Sequence, residues 1–434
     1  MEALDGRSSQ MKMKNGASGR PKEEKFQRVA GARAAAALMC RCRTMSYHAI
    51  YVVLFRCGQI LAVTQPMHRI HTEIMSALLP HQKEALERTA SSLACRGKGI
   101  TACDESAGTI GERFEAVGIA NTEENRRRYR QMLFSAPTCE EYLCGAILDP
   151  ETLTQKSDDG RPFPLFLRDR GITAGVKVHL KACVLPGTGG DTVMQGLDSL
   201  ASRCGEYRER GARFAKWRSP LAIDVSSGRP TDLAIRANMS DLARYALICQ
   251  SGGLMPIVEP DVSLSGSHTL EEAISINTRV LSELFRQMIE HRVHLPGATL
   301  KSNIVNPGRE CPVPYTVDDI ARANVSVLER TFPVAMKTAN YLSGGQSLGD
   351  AAARLSAINR PNRAGPWNLS FSWSAALQLP LLELCRGKGG LQLDVMQKLY
   401  IEELETASEA AKGEWDGKEG DGDHKGYRKR EFPS

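Results

Sequence analysis

Eight short apolar runs, each closing on or beside a polar or charged residue, limit what this chain can fold into. They lie at Gly99–Cys103, Cys144–Leu148, Gly175–Val178, Ala212–Arg218, Gly253–Glu259, around Lys301, and at Ala339–Ser343 and Trp367–Ser372. Segments with helical apolar spacing alternate with them: 79–95, 121–134, 191–208, 233–250, 270–291, 317–330, 347–359, 374–384 and 395–411. A strand buried on both faces reads as a continuous apolar run, and neighbouring parallel strands need a helical crossover. Eight such units predict an α/β fold, a (β/α)8 TIM barrel over residues 73–411.

In that fold the C-terminal strand ends share one mouth. The pattern therefore gathers Asp104, Lys177, Lys216, Arg218, Glu259, Lys301, Ser343 and Ser372 around one cavity. Lys301 stands out, in the stretch Gly297-Ala-Thr-Leu-Lys301-Ser-Asn-Ile that breaks at Pro307-Gly308. A lysine inside an apolar run is costly to leave charged, so it is paired or partly neutral. A neutral lysine is a nucleophile toward carbonyls. Its ordinary alternative is a strand-end lysine whose head reaches water.

The charge excludes a nucleic-acid face on the barrel. Ten of the 56 Lys/Arg and four of the 50 Asp/Glu fall in residues 1–45, so the other 389 residues hold 46 of each sign. The basic character belongs to a leader. Residues 1–72 form a basic extension whose first 33 residues are expected to be disordered, as is a tail over 412–434. The apolar stretch 47–63 has 17 residues and is interrupted by Arg56. That is short of the ~20 apolar residues of a spanning helix, so no membrane association is expected. Two readings of the extension stand: an organellar leader, with plastid or other organelle localisation, or an extension without targeting function and a cytoplasmic protein. Of twelve cysteines only Cys40-Arg-Cys42 is closely spaced and no C-x-x-C occurs; those beyond the leader are scattered singly, which suits buried thiols in a reducing compartment. The nine histidines show no ligand spacing at strand ends, so no metal is expected.

Several segments are similar to the class I fructose-bisphosphate aldolases, the Schiff-base type without metal. They are Cys103-Asp-Glu-Ser, Asn121-Thr-Glu-Glu-Asn-Arg, Phe214-Ala-Lys-Trp-Arg, Pro256-Ile-Val-Glu-Pro, Leu300-Lys and Leu342-Ser-Gly-Gly-Gln-Ser, within about residues 76–410. The resemblance implies a homotetramer with no cofactor that cleaves fructose 1,6-bisphosphate, and a protein partner of the actin type. It places the Schiff-base lysine on Lys301, a second active-site lysine on Lys216, a proton-exchanging acid on Glu259, and the acid assisting at the C4 hydroxyl on Asp104. Lys216 is expected to lower the pKa of Lys301 as a neighbouring cation. For the two phosphates, the family pattern points to Ser343 and Gly344 at one end and to Ser106, Thr109 and Lys177 at the other. Thr109 replaces a serine, Asp261 replaces a second glutamate, and Arg218 and Ser372 complete the substrate-binding set.

The chain also departs from that pattern. The family reads Phe-Ser-Tyr-Gly-Arg after the eighth strand, where its arginine grips the ketose C1 phosphate. Here Phe371-Ser-Trp-Ser-Ala375 carries no cation. Asp149 stands in place of an aromatic, His179 in place of an aspartate, Ser302 in place of a proline, and the chain ends in Ser434 rather than tyrosine. Two other readings therefore stand beside the aldolase: a related lyase on another phosphosugar, and a weakened paralogue with a scaffolding role.

Overall fold

The computed structural model describes residues 49–56, 59–66, 78–360 and 365–417. The expectations for residues 1–33, for 418–434 and for Ser434 lie outside the described residues. The chain divides into two compact units, Met1–Ser76 and Ala77–Ser434. In the first, β1 (Ala49–Arg56) and β2 (Gln59–Pro66) pair antiparallel, with Arg56 opposite Gln59. The described residues of the extension's apolar stretch thus form paired antiparallel strands.

The second unit opens with α1 (Pro80–Ser92), β3 (Gly99–Cys103), α2 (Ala107–Glu115), α3 (Glu123–Ser135), α4 (Cys139–Tyr142) and β4 (Leu143–Leu148). Next come α5 (Pro150–Thr154), α6 (Phe163–Asp169), β5 (Thr173–Lys177), β6 (Ala182–Val184), β7 (Thr192–Met194), α7 (Leu200–Glu209) and β8 (Phe214–Leu221). Then follow α8 (Asp232–Ser251), β9 (Met255–Val262), α9 (Leu270–Glu290), β10 (Thr299–Asn303), α10 (Val317–Thr331) and β11 (Thr338–Leu342). The last elements are α11 (Leu348–Asn359), β12 (Asn368–Trp373), α12 (Ala375–Glu383) and α13 (Leu393–Lys412).

Strands β3, β4, β5, β8, β9, β10, β11 and β12 close in that order into a parallel barrel, with β12 pairing back onto β3. These are the eight expected strands, and the (β/α)8 reading holds. Two local expectations fail. Apolar spacing predicts one helix over 191–208, but Thr192–Met194 pairs antiparallel with Ala182–Val184, and only Leu200–Glu209 is helical. β-branched residues and a glycine-rich turn, with Gly187, Gly189 and Gly190 at positive φ, favour a hairpin there. Asp191 fixes its start by accepting from the backbone N–H and hydroxyl of Thr231. Second, β8 and β9 run past Arg218 and Glu259, pairing as far as Leu221 and Val262. Those two residues therefore sit within strands rather than at their ends.

Inner-facing residues alternate along barrel strands. The register aligns Lys177 with Lys216, Lys216 with Ile257, Ile257 with Thr299, and Lys301 with Asn340. This row lines the interior. Below it the interior is apolar: Ile100, Ala102, Ile147, Phe214 and Met255 pack with Leu86, Ala90 and Leu93 of α1. Helix α1 closes the N-terminal end of the barrel. A Cβ on Gly297 would lie 2.7 Å from Leu86 Cβ, so the position two residues before β10 has no room for a side chain. The outer strand faces and the surrounding helices form the larger core.

Candidate active site

The polar groups of the interior are joined rather than scattered. Lys301 Nζ lies 3.2 Å from Glu259 Oε1, and Lys216 Nζ lies 3.1 Å from Glu259 Oε2. Lys216 Nζ is also 2.7 Å from Asp104 Oδ2. Three of the four side chains are at most 5 % exposed and Asp104 is 12 % exposed. Buried charges persist only when paired, and here two carboxylates face two ammoniums. Burial pushes the Asp104 carboxyl up, but Lys216, Lys301 and Lys177 together outweigh it and hold it well below the usual range. Burial likewise works against the charge on Lys216, while Asp104 and Glu259 outweigh it and raise its pKa. Lys216 is a fixed cation. The arrangement offers one nucleophilic amine, a carboxylate within proton-transfer distance of it, and a second carboxylate one lysine further on.

The predicted anion-binding residues take several positions. Ser343 and Gly344 form the turn after β11, with Gly344 at φ +59°, and Gln346 N donates to Ser343 O. The next strand end carries Ala375 as the first residue of α12. Ser374 is its N-cap residue but makes no side-chain cap; its hydroxyl donates to Glu105 instead. Leu377 N donates to Ser374 O, so the Ala375 and Ala376 N–H groups are the ones that no Ser374 side-chain cap takes from an anion, although the arginine is missing. Ser372 is buried and its hydroxyl has no hydrogen-bond partner among the described residues.

Across the mouth, Ser106 caps α2 by accepting from Thr109 N at 3.3 Å, with the two hydroxyls 3.1 Å apart. Ser106 and Thr109 are exposed at a helix start, where capping and anion binding compete for the same groups. Lys177 Nζ donates to Asp104 O at 2.6 Å and lies 2.9 Å from Asp149 Oδ2. Arg218 Nε donates to Asp261 Oδ2 at 2.6 Å. Asp261 is the chief reason that the Arg218 guanidinium is raised above its usual range.

Four features escape a reading by residue pattern. Arg309, two residues beyond Pro307, donates to Gly344 O at 2.9 Å and brings a guanidinium onto the Ser343–Gly344 turn. A cation directly after the Pro-Gly break was the available signal. Glu105 is held by Arg113 at 2.7 Å and Arg130 at 3.2 Å, which are distant in sequence. His179 Nδ1 accepts from Arg218 N at 3.1 Å. Burial, and then Lys216, hold His179 well below its usual pKa, so the ring is neutral with its proton on Nε2. Asp149, visible only as a departure from a pattern, proves to be the ion partner of Lys177.

Residues 85–431 match the family model "Fructose-bisphosphate aldolase class-I". Fructose-bisphosphate aldolase B of Gallus gallus is 42 % identical over 345 residues, 79 % of this chain and 94 % of that protein. A fructose-bisphosphate aldolase of Echinococcus multilocularis is 46 % identical over 319 residues, 72 % of this chain and 87 % of its own length. The solved fructose-bisphosphate aldolase of Plasmodium falciparum, in complex with TRAP and a small-molecule inhibitor, superposes with a TM-score of 0.76 at 40 % identity. That match covers 79 % of this chain and 98 % of the solved one.

Proposed function

Because this chain belongs to the class I fructose-bisphosphate aldolase family, we propose that it is a metal-independent carbon–carbon lyase acting in glycolysis and gluconeogenesis. It cleaves fructose 1,6-bisphosphate reversibly to dihydroxyacetone phosphate and glyceraldehyde 3-phosphate through a Schiff base. The observation that carries the mechanism is the chain of contacts Lys301–Glu259–Lys216–Asp104.

Lys301 gives its proton to Glu259, and the free amine attacks the C2 carbonyl. Glu259 returns the proton to the carbinolamine oxygen, which leaves as water. The resulting iminium accepts the electron pair of the C3–C4 bond when that bond breaks. The C4 hydroxyl proton leaves toward Asp104, and the aldehyde half departs. Protonation of the enamine at C3 and hydrolysis release dihydroxyacetone phosphate and restore the amine. Lys216, fixed as a cation, keeps Glu259 and Asp104 apart and offsets the negative charge between them.

The far phosphate falls to Ser106, Thr109 and Lys177, and the C1 phosphate to Ser343, Gly344 and the start of α12. Arg218, Asp261 and Ser372 contact the substrate between them. The test is borohydride reduction with fructose 1,6-bisphosphate present, followed by mass mapping. A covalent adduct on Lys301 is expected, with no effect of chelators, and the absence of any adduct defeats the reading.

The missing C1 grip yields a second expectation. A charge-assisted hydrogen bond is worth roughly 1.5–3 kcal/mol. Ala375→Arg should therefore raise kcat/KM for fructose 1,6-bisphosphate about 10- to 100-fold at roughly 1.4 kcal/mol per decade. Steady-state assays read this directly, and an unchanged value would mean that the turn and α12 already hold the phosphate fully.

We further propose a homotetramer, testable by light scattering on the eluted protein. The solved Plasmodium falciparum enzyme is in complex with TRAP, and a protein partner of this chain is proposed on that likeness. Among the described residues no helix is long and apolar enough to cross a membrane. A cytoplasmic location is the proposal, and a fluorescent fusion carrying residues 1–72 distinguishes it from an organelle.

A further inference from the structure

We propose that Asp149 sets substrate choice, favouring ketose 1-phosphates with an uncharged far end over ketose bisphosphates. This rests on the lyase reading above. Around the barrel β4 lies four strands from β10, so the residue that follows β4 faces Lys301 across the mouth. A ketose joined through C2 to Lys301 points its C1 end toward the neighbouring β11 turn. Its remaining carbons extend to the opposite wall, where Asp149 and Lys177 stand.

Both oxygens of Asp149 are engaged. Oδ1 accepts from Glu151 N at 3.0 Å and caps α5, while Oδ2 meets Lys177 Nζ at 2.9 Å. The two side chains are 14 % and 13 % exposed, so water screens the pair weakly. Lys177 also donates a hydrogen bond to Asp104 O, which leaves one N–H for a ligand. A phosphate is an acceptor carrying up to two negative charges, and at Lys177 it must sit beside a carboxylate that the cap holds in place. A hydroxyl suits the pair better, since it donates to the carboxylate and accepts from the ammonium.

The test compares kcat/KM for fructose 1,6-bisphosphate and fructose 1-phosphate in the wild-type chain and in Asp149→Asn. Asparagine keeps a capping oxygen and removes the charge. The ratio of bisphosphate to monophosphate is expected to rise at least about 10-fold, equivalent to roughly 1.4 kcal/mol. Asp149→Ser, which also retains a cap, should shift the ratio the same way and stands in if the first variant does not fold. A ratio unchanged within twofold, or one that falls, overturns the role of Asp149. Borohydride trapping of the wild-type chain is run alongside. Trapping with an unchanged ratio defeats Asp149 alone, whereas trapping with neither ketose defeats the lyase reading and this inference together.

Discussion

Lys301→Met is expected to lower turnover of fructose 1,6-bisphosphate by more than about 10⁴-fold, the order seen when a covalent nucleophile is deleted. The methionine chain fills nearly the same volume but carries no amine. Glu259 keeps Lys216 at 3.1 Å, so the substitution does not strand a buried carboxylate. The folded state should survive, with a cooperative thermal transition near that of the parent. Substrate binding should fall far less than turnover, because the phosphate-end groups lie on other strands. Three readouts check this: turnover, borohydride incorporation and ligand-induced thermal shift. Residual activity above a few per cent would remove Lys301 from the reaction.

Lys216→Met should do more damage to the fold and almost as much to the chemistry. Lys216 stands between Asp104 at 2.7 Å and Glu259 at 3.1 Å, and all three side chains are largely buried. Removing one member of a buried ion cluster typically costs about 3–5 kcal/mol, since an uncompensated charge stays behind. The pH dependence follows from Asp104. In the parent its pKa lies below the unfolded value, so its stabilisation is complete above the unfolded pKa and fades as the pH falls below it. In the variant the burial effect faces fewer opposing cations, and the folded pKa moves upward. The folded state then binds a proton more readily than the unfolded one, so the deficit should be largest near pH 8 and shrink toward pH 5. Denaturation midpoints of both proteins across that range measure it. An equal deficit at both ends would mean that Lys216 acts through packing alone.

The barrel was legible because strands buried on both faces cannot hide their composition. Val258, Leu300 and Phe371 are buried and fall in runs too short and too apolar for surface helices. The reactive lysines were legible for the same reason, as charges placed where charge is expensive. The turn at 187–196 was not, because the apolar periodicity of so short a segment fits a helix and a hairpin equally. Helix α2 was missed because Gly108 and Gly111 weaken its pattern, although Ile110 and Phe114 are buried beneath it. Ion pairs such as Lys177–Asp149 and the Arg113–Glu105–Arg130 group join positions whose separation in sequence carries no information about contact. They exist only once the strands have been rolled into register.

The seating of α1 under the barrel has a kinetic consequence. With Leu86, Ala90 and Leu93 stoppering one end, the interior is a dead end with a single doorway. Everything that enters to react with Lys301 must back out the way it came. The half joined to Lys301 is held until hydrolysis frees it, whereas the aldehyde is untethered once the C3–C4 bond breaks. Departure is therefore ordered by that bond together with the single doorway, with the aldehyde first and the ketone last, and an accumulating aldehyde obstructs the release of its partner.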